Sequence, residues 1–202
     1  MKIICVGKNY EDHIKEMSSL KPSSPVIFLK PPTSITLNGS RFSIPDFSNE
    51  IHHEIELVIK ISRNGKNIKI EDSQNHFREI SLGIDFTARD IQNYCKKMGY
   101  PWELSKAFDG SAAIGDFIAK DDFDINNINF YLNKNNKMVQ QGNSSEMIFS
   151  FNQIISFVSN YFTIEEGDLI YTGTPSGVGA VNKFDKLDGY LNNKKLLHVA
   201  IS

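Results

Sequence analysis

The sequence predicts an α+β fold that is mainly β, with a few short helices set between strands. Three observations carry this expectation. Residues 51–61 alternate, with Ile55, Leu57, Ile59 and Ile61 apolar on one side, the period-two pattern of a strand with one face in a core. Apolar runs of strand length recur along the chain and are halted by Gly, Pro or Asn, as in Val26-Ile27-Phe28-Leu29 before Pro31-Pro32. Only residues 145–162 sustain helical spacing for several turns, through Ile148, Phe151, Ile154, Ile155 and Val158. A chain of 202 residues reads as a single domain, 1–202, with room for a substantial core.

In order, Met1 to Val6 reads as a first strand stopped at Gly7, and the segment from about Tyr10 as a short helix. On that helix His13 and Glu16 stand three apart and so share a face, where a carboxylate can hold an imidazole ready as a general base. An exposed i,i+3 pair is the plainer alternative. The turn-rich stretch 35–45 reads as a hairpin leading into residues 51–61. Arg63-Asn64-Gly65-Lys66 carries a hairpin-turn signal, and residues 71–77 look helical. Residues 79–86 form another strand with Asp85 near its end, and Thr87-Ala88-Arg89-Asp90 resembles a capping-box helix start. Arg89 and Gln92 then share a helical face, placing a guanidinium suited to a carboxylate beside an amide. Lys106 sits among aromatic and small residues, where desolvation can tune it. Residues 122–132 and 137–140 read as strands of a hairpin with an Asn-Asn turn. Residues 166–179 form a strand running into a glycine-rich turn that offers Thr172 and Thr174; no Gly-Lys-Ser/Thr follows, so it is not a phosphate loop. Residues 196–201 close the chain as a strand.

The chemistry centres on residues 51–61. A strand there puts Glu54 and Glu56 on one face, with His52 before them and Val58 after. Neighbouring carboxylates in an apolar strand repel and resist desolvation unless a positive group lies between them. A divalent cation does this well, and carboxylate oxygens suit Mg²⁺, Mn²⁺ and Ca²⁺. Two readings stay open on this pattern alone: a cation site, or an edge strand with both acids in water.

The ordered set of motifs closely resembles the fumarylacetoacetate hydrolase family, and within it the small branch of acylpyruvase and oxaloacetate decarboxylase type. The resemblance is carried by Gly7-Lys8-Asn9-Tyr10, Phe28-Leu29-Lys30-Pro31, His53-Glu54-Ile55-Glu56, Asp85-Phe86-Thr87-Ala88-Arg89-Asp90, Ser105-Lys106-Ala107-Phe108, Met147-Ile148-Phe149-Ser150 and Thr172-Gly173-Thr174-Pro175-Ser176-Gly177. It spans nearly the whole chain. It implies a mixed β-sandwich roll and a Mg²⁺ or Mn²⁺ held by Glu54, Glu56 and Asp85, a site that Ca²⁺ can also fill. It further implies a His13/Glu16 dyad on a lid helix at about residues 10–20, a site lysine at Lys106, and substrate contacts from Arg89, Gln92 and Thr174. The implied reaction is metal-dependent cleavage of the C–C bond of acylpyruvates, with decarboxylation of oxaloacetate at the same site. A homodimer is implied as well. Alternatives are isomerases and decarboxylases of unsaturated dioic acids on the same scaffold, and a non-catalytic protein that binds metal and an oxo acid. Lys8 stands where many members carry Arg, Pro32 follows Pro31 where Ser is common, and Ser111-Ala112-Ala113 replaces a Cys-Pro stretch; these departures bear on substrate choice.

Composition excludes several classes. The net charge is −2 with scattered basic residues, which leaves no nucleic-acid footprint. No apolar run reaches the roughly 18–20 residues of a membrane span. Two cysteines, Cys5 and Cys95, give no disulfide framework, so a reducing, cytoplasmic setting is expected.

Overall fold

The computed structural model describes residues 1–202. Its largest element is an eight-stranded mixed sheet. From one edge to the other run Val26–Lys30, Ile3–Gly7, Leu169–Tyr171, Ile55–Ile61, Phe77–Asp85, Ala112–Ile114 and Ile35–Leu37, with Ile118–Ala119 paired beside Phe77–Asp85. The two edge strands, Val26–Lys30 and Ile35–Leu37, are joined only by the short 3₁₀ turn at Pro32–Ser34. So short a link between opposite ends of the strand order requires the sheet to curl until its edges approach.

The roll has an inside and an outside, and strand periodicity assigns residues to each. The odd positions Ile55, Leu57, Ile59 and Ile61 face outward into a core of 33 buried residues. That core is shared with a five-stranded sheet (Lys137–Asn143, Asn129–Lys134, Lys186–Leu191, Lys194–Ile201, Arg41–Phe42) and with the helix Phe151–Tyr161. The even position Val58 faces inward, with Ile3, Cys5, Phe28, Ala112, Ile114, Leu169 and Tyr171. Tyr171 crosses this interior and donates to the Ala113 carbonyl at 2.8 Å. Gly83 lies under its ring, where a Cβ would meet Tyr171 Cε1 at 2.4 Å, so only glycine fits. Glu54 and Glu56 continue the inward row at the mouth of the roll.

Several local expectations change. Residues 35–45 do not form a hairpin: Ile35–Leu37 pairs in parallel with Ala112–Ile114, and Arg41–Phe42 in parallel with Lys194–Ile201. Asn64-Gly65 is no tight turn either. Strands Ile55–Ile61 and Phe77–Asp85 do pair antiparallel, but through a connection containing the 3₁₀ segment Ile70–His76, and Gly65 bridges to Ile164. The strand expected from 122 begins at Asn129, after a 3₁₀ turn at Lys120–Asp122. The Asn-Asn turn is as expected, since Asn135 and Asn136 both take positive φ (52° and 65°), the conformation that joins twisted hairpin strands. The long helix starts later than its pattern, at Phe151, where Ser150 and Gln153 form a reciprocal capping box.

Candidate active site

Strand ends and one covering helix build the site at the mouth of the roll. Glu54 and Glu56 flank the first residue of Ile55–Ile61, and Asp85 ends the strand that pairs with it. All are buried, and ligand atoms of these acids lie within 4.8 Å of one another. Cations surround them. Lys106, at the end of the helix Glu103–Lys106, donates to Glu54 Oε2 (2.7 Å), Asp85 Oδ2 (2.6 Å) and Thr87 Oγ1 (2.6 Å). Arg89 donates through one Nη to Glu54 Oε1 and through the other to Gln92 Oε1 (2.5 Å), so the spacing of Arg89 and Gln92 does bring them together.

Thr87 is not a helix cap. Its hydroxyl lies between Lys106 and the Asp85 carbonyl, while Asp90 accepts from the Ser48 hydroxyl and the Asn49 and Ile91 amides.

The helix Glu11–Glu16 covers the cavity and carries the dyad. His13 Nδ1 lies 3.0 Å from Glu16 Oε2, and Glu16 Oε1 accepts from the Gly177 amide at 2.9 Å. A carboxylate partner at Nδ1 places the proton on that nitrogen and leaves Nε2 free to exchange one. The helix is anchored by buried Asn9, whose amide donates to Thr172 O (2.7 Å) and Phe149 O (3.0 Å). Lys8, just before it, holds a positive φ of 61°, a strained conformation for a non-glycine residue that clusters at functional sites.

His13, Glu54, Glu56, Asp85, Arg89, Gln92, Lys106 and Thr174 all line one small cavity of about 40 Å³, and Glu16 joins through His13. The electrostatics of the acids differ. Burial pushes the Glu54 carboxyl up, but Lys106 and Arg89 outweigh it and hold the group well below the usual carboxylate range. For Glu56, burial and then the Asp85 and Glu54 carboxylates all push upward, opposed by the Gly173 amide that donates to its Oε2 at 2.7 Å. Glu56 is therefore the least compensated acid.

A divalent cation fits this site on two observations. The Asp85 Oδ1 atom is buried and accepts no hydrogen bond. Its neighbour is the Lys30 ammonium, which pairs with it as an ion at 2.7 Å while directing its hydrogen bonds to the Lys106 carbonyl and to Ser111 O and Oγ (both 2.9 Å). The donor set is also all oxygen, as Mg²⁺, Mn²⁺ and Ca²⁺ prefer.

Three participants escaped the sequence reading. Lys30, whose side chain is fully buried, stands in one of the family-like segments with no role assigned to it there. Lys96 lines the cavity from its exposed rim; it extends the Arg89–Gln92 stripe by another four residues, so helical spacing could have found it. Partial burial and then the nearby Arg89 guanidinium bring its ammonium down to about 8. Gln140, on a strand of the other sheet, reaches Thr174 and His53. No local pattern marks it.

Fold and site together define an enzyme class in which a rolled mixed sheet holds an acidic triad at its mouth, under a helix bearing a paired histidine and glutamate. The chain belongs to the fumarylacetoacetate hydrolase family: the family model described as fumarylacetoacetate (FAA) hydrolase C-terminal matches residues 2–201. It is 42% identical over 186 residues, 92% of this chain and 84% of that protein, to oxaloacetate tautomerase FAHD1, mitochondrial, of Bos taurus. To oxaloacetate decarboxylase, mitochondrial, of Dictyostelium discoideum it is 41% identical over 182 residues, 89% of this chain and 84% of that protein. The crystal structure of fumarylpyruvate hydrolase from Pseudomonas aeruginosa in complex with Mn²⁺ and pyruvate superposes with a TM-score of 0.93 at 32% identity, covering 100% of this chain and 89% of that one. No helix here is long and apolar enough to cross a membrane.

Proposed function

We propose that this chain is a divalent-metal-dependent enzyme of small 2-oxo acids that acts at the carbon next to the 2-oxo group, with enol–keto interconversion of oxaloacetate as its principal reaction. The carrying observation is the His13–Glu16 pair facing the Glu54, Glu56 and Asp85 triad across one cavity. The tautomerase and decarboxylase relatives support the substrate, and the Mn²⁺–pyruvate complex of the structural relative supports the pairing of a metal with an oxo acid. Mg²⁺ or Mn²⁺ held by the triad would supply Lewis-acid stabilisation of negative charge at the 2-oxo oxygen.

The protein's own part is proton transfer and charge. His13 Nε2 takes a C3 proton from the keto acid, the C3–H electron pair moves into a C2–C3 double bond, and the 2-oxo oxygen becomes an enolate. Protonation of that oxygen completes the enol. Glu16, fixed at its other oxygen by Gly177, holds the ring and stabilises the imidazolium formed meanwhile. Lys106, raised by Asp85 and Glu54 against the opposing effect of burial, keeps a fixed positive charge beside the reacting end.

Acylpyruvate hydrolysis is the second reading, favoured by the same dyad. There His13 takes a proton from water attacking the distal carbonyl, the C3–C4 bond breaks, and its electron pair leaves as the enolate of pyruvate. A non-catalytic binding role would need no dyad. The test is an assay of the purified chain with Mg²⁺ or Mn²⁺, following oxaloacetate enol by ultraviolet absorbance and acetylpyruvate by its disappearance. Chelator should abolish whichever activity is present. Absence of metal-dependent turnover of both substrates would refute the reading.

A further inference from the structure

Gln140 is buried at 2% exposure and has no place in the chemistry above, yet all its hydrogen-bonding groups are used. Its Oε1 accepts from the Ile55 amide at 3.1 Å and faces His53 Nδ1 at 2.8 Å. A main-chain N–H can only donate, so the atom facing Ile55 must be the amide oxygen, and His53 must carry its proton on Nδ1. The opposite end of the amide is then the nitrogen. Its two N–H groups go to Thr174 Oγ1 (2.9 Å) and to the Pro175 carbonyl (3.0 Å), the latter able only to accept. Each assignment is forced by a main-chain group.

The consequence falls on Thr174. Its oxygen receives the Gln140 proton, so its own hydroxyl proton is free for another acceptor. The only one in reach within the protein is the Pro175 carbonyl at 3.5 Å, at the limit of a hydrogen bond and already taken by Gln140. Thr174 lines the cavity. The same amide also ties two parts of the site together, because Ile55 stands between Glu54 and Glu56 while Gly173, next to Thr174, donates to Glu56.

We propose that Gln140, itself oriented by His53 and Ile55, is a positioning residue that fixes Thr174 as a hydrogen-bond donor to the bound oxo acid. This rests on the 2-oxo acid reading above. An anionic or carbonyl oxygen of the ligand is the acceptor the Thr174 hydroxyl lacks.

The test is a double-mutant cycle of Gln140→Glu and Thr174→Val, read by calorimetric binding of pyruvate in saturating Mg²⁺ and by turnover of oxaloacetate. Gln140→Glu keeps an acceptor for Ile55 and His53 but loses both donors to the Thr174 corner. Each single variant should weaken pyruvate binding by about tenfold, the scale for a hydrogen bond to a charged group. The double variant should be no weaker than Thr174→Val alone, because Gln140 acts only through that hydroxyl. Thr174→Ser should restore wild-type affinity. Gln140→Met, with thermal melting alongside, separates this from damage to the fold: binding should fall in the protein that remains folded. Fully multiplicative losses in the double variant would overturn the proposal, as would wild-type affinity in Thr174→Val. If the wild type binds pyruvate and shows the cycle but does not turn over oxaloacetate, the assigned reaction fails and the positioning role stands. If the wild type does not bind pyruvate, both fall.

Discussion

Replacing Glu56 by Gln tests the metal site by stability rather than by activity. Glu56 is buried and lies within 4.8 Å of ligand atoms of Glu54 and Asp85. At an effective dielectric of about 20, two unit charges at that distance repel by about 3.5 kcal/mol. Lys106 offsets part of this, but Glu56 has no ion-pair partner of its own. Gln keeps the shape and still accepts from the Gly173 amide, and its NH₂ finds acceptors on the neighbouring carboxylates. The metal-free variant should therefore melt no lower than the metal-free wild type. With metal at about 100 times its dissociation constant, the wild type should gain about 2.7 kcal/mol. For a chain of this size that is a rise in melting temperature of about 5–10 °C. Glu56→Gln should lose most of that rise. Differential scanning fluorimetry across Mg²⁺ and Mn²⁺ titrations, with chelator as baseline, measures both quantities. A full wild-type rise in the variant would show that Glu56 is not a ligand. A metal-free melt several degrees lower would show that its charge is compensated in a way the geometry does not contain.

Other outcomes follow from the same structure. His13→Ala should lower turnover by roughly 10²-fold or more, the usual scale for a general base, and leave the metal-induced melting shift intact; loss of that shift would place His13 among the ligands. The Lys96 ammonium, brought to about 8 by partial burial and Arg89, is charged below that pH and neutral above it. Glu54 opposes the shift, while Lys106 and Lys8 add to it. KM for an anionic substrate should thus rise severalfold between pH 7 and 9, within the modest range of exposed charges, and Lys96→Met should flatten the profile at the higher value. Gly83→Ala forces a methyl into the Tyr171 ring and should destabilise by about 1–3 kcal/mol or more, seen as a drop of several degrees in melting temperature. A melt unchanged by that substitution would mean that Tyr171 moves aside freely.

How much of this was legible in the sequence depends on the range of the signal. Glu54, Glu56 and the apolar odd positions were readable because strand alternation is local, and the same alternation sends one row into the core and the other into the roll. His13 with Glu16, and Arg89 with Gln92, were readable because three residues is most of a helical turn. Hairpins were misread at 35–45 and at Asn64-Gly65, where turn chemistry is real but pairing is decided elsewhere. Ile35–Leu37 finds its partner at Ala112–Ile114, and no turn preference encodes a contact of that separation. Thr87 was misread for a related reason: its hydroxyl has a better use against Lys106 than at a helix start.

Lys30 and Gln140 show what a one-dimensional reading loses. Each is chemically unremarkable in its own segment and takes its role from the closing of the roll. Lys30 stands on an edge strand, and only curvature brings that edge to Asp85 on Phe77–Asp85 and to Ser111 beside Ala112–Ile114, towards the other edge of the strand order, with Lys106 on the helix Glu103–Lys106 between them and the cavity's acids. Gln140 belongs to the second sheet and meets Ile55 and Thr174 only because the two sheets pack there. The acids and the dyad can be written into short motifs because a metal and a proton need particular groups close together. The residues that hold those groups in place come from whichever strands the fold presses against them, so their identity follows from topology. A substitution at Lys30 should therefore disturb Asp85 before it disturbs the strand that carries it. The variant Lys30→Met is expected to weaken the metal-induced melting shift more than it lowers the metal-free melt, and the reverse order would show Lys30 to be a packing residue alone.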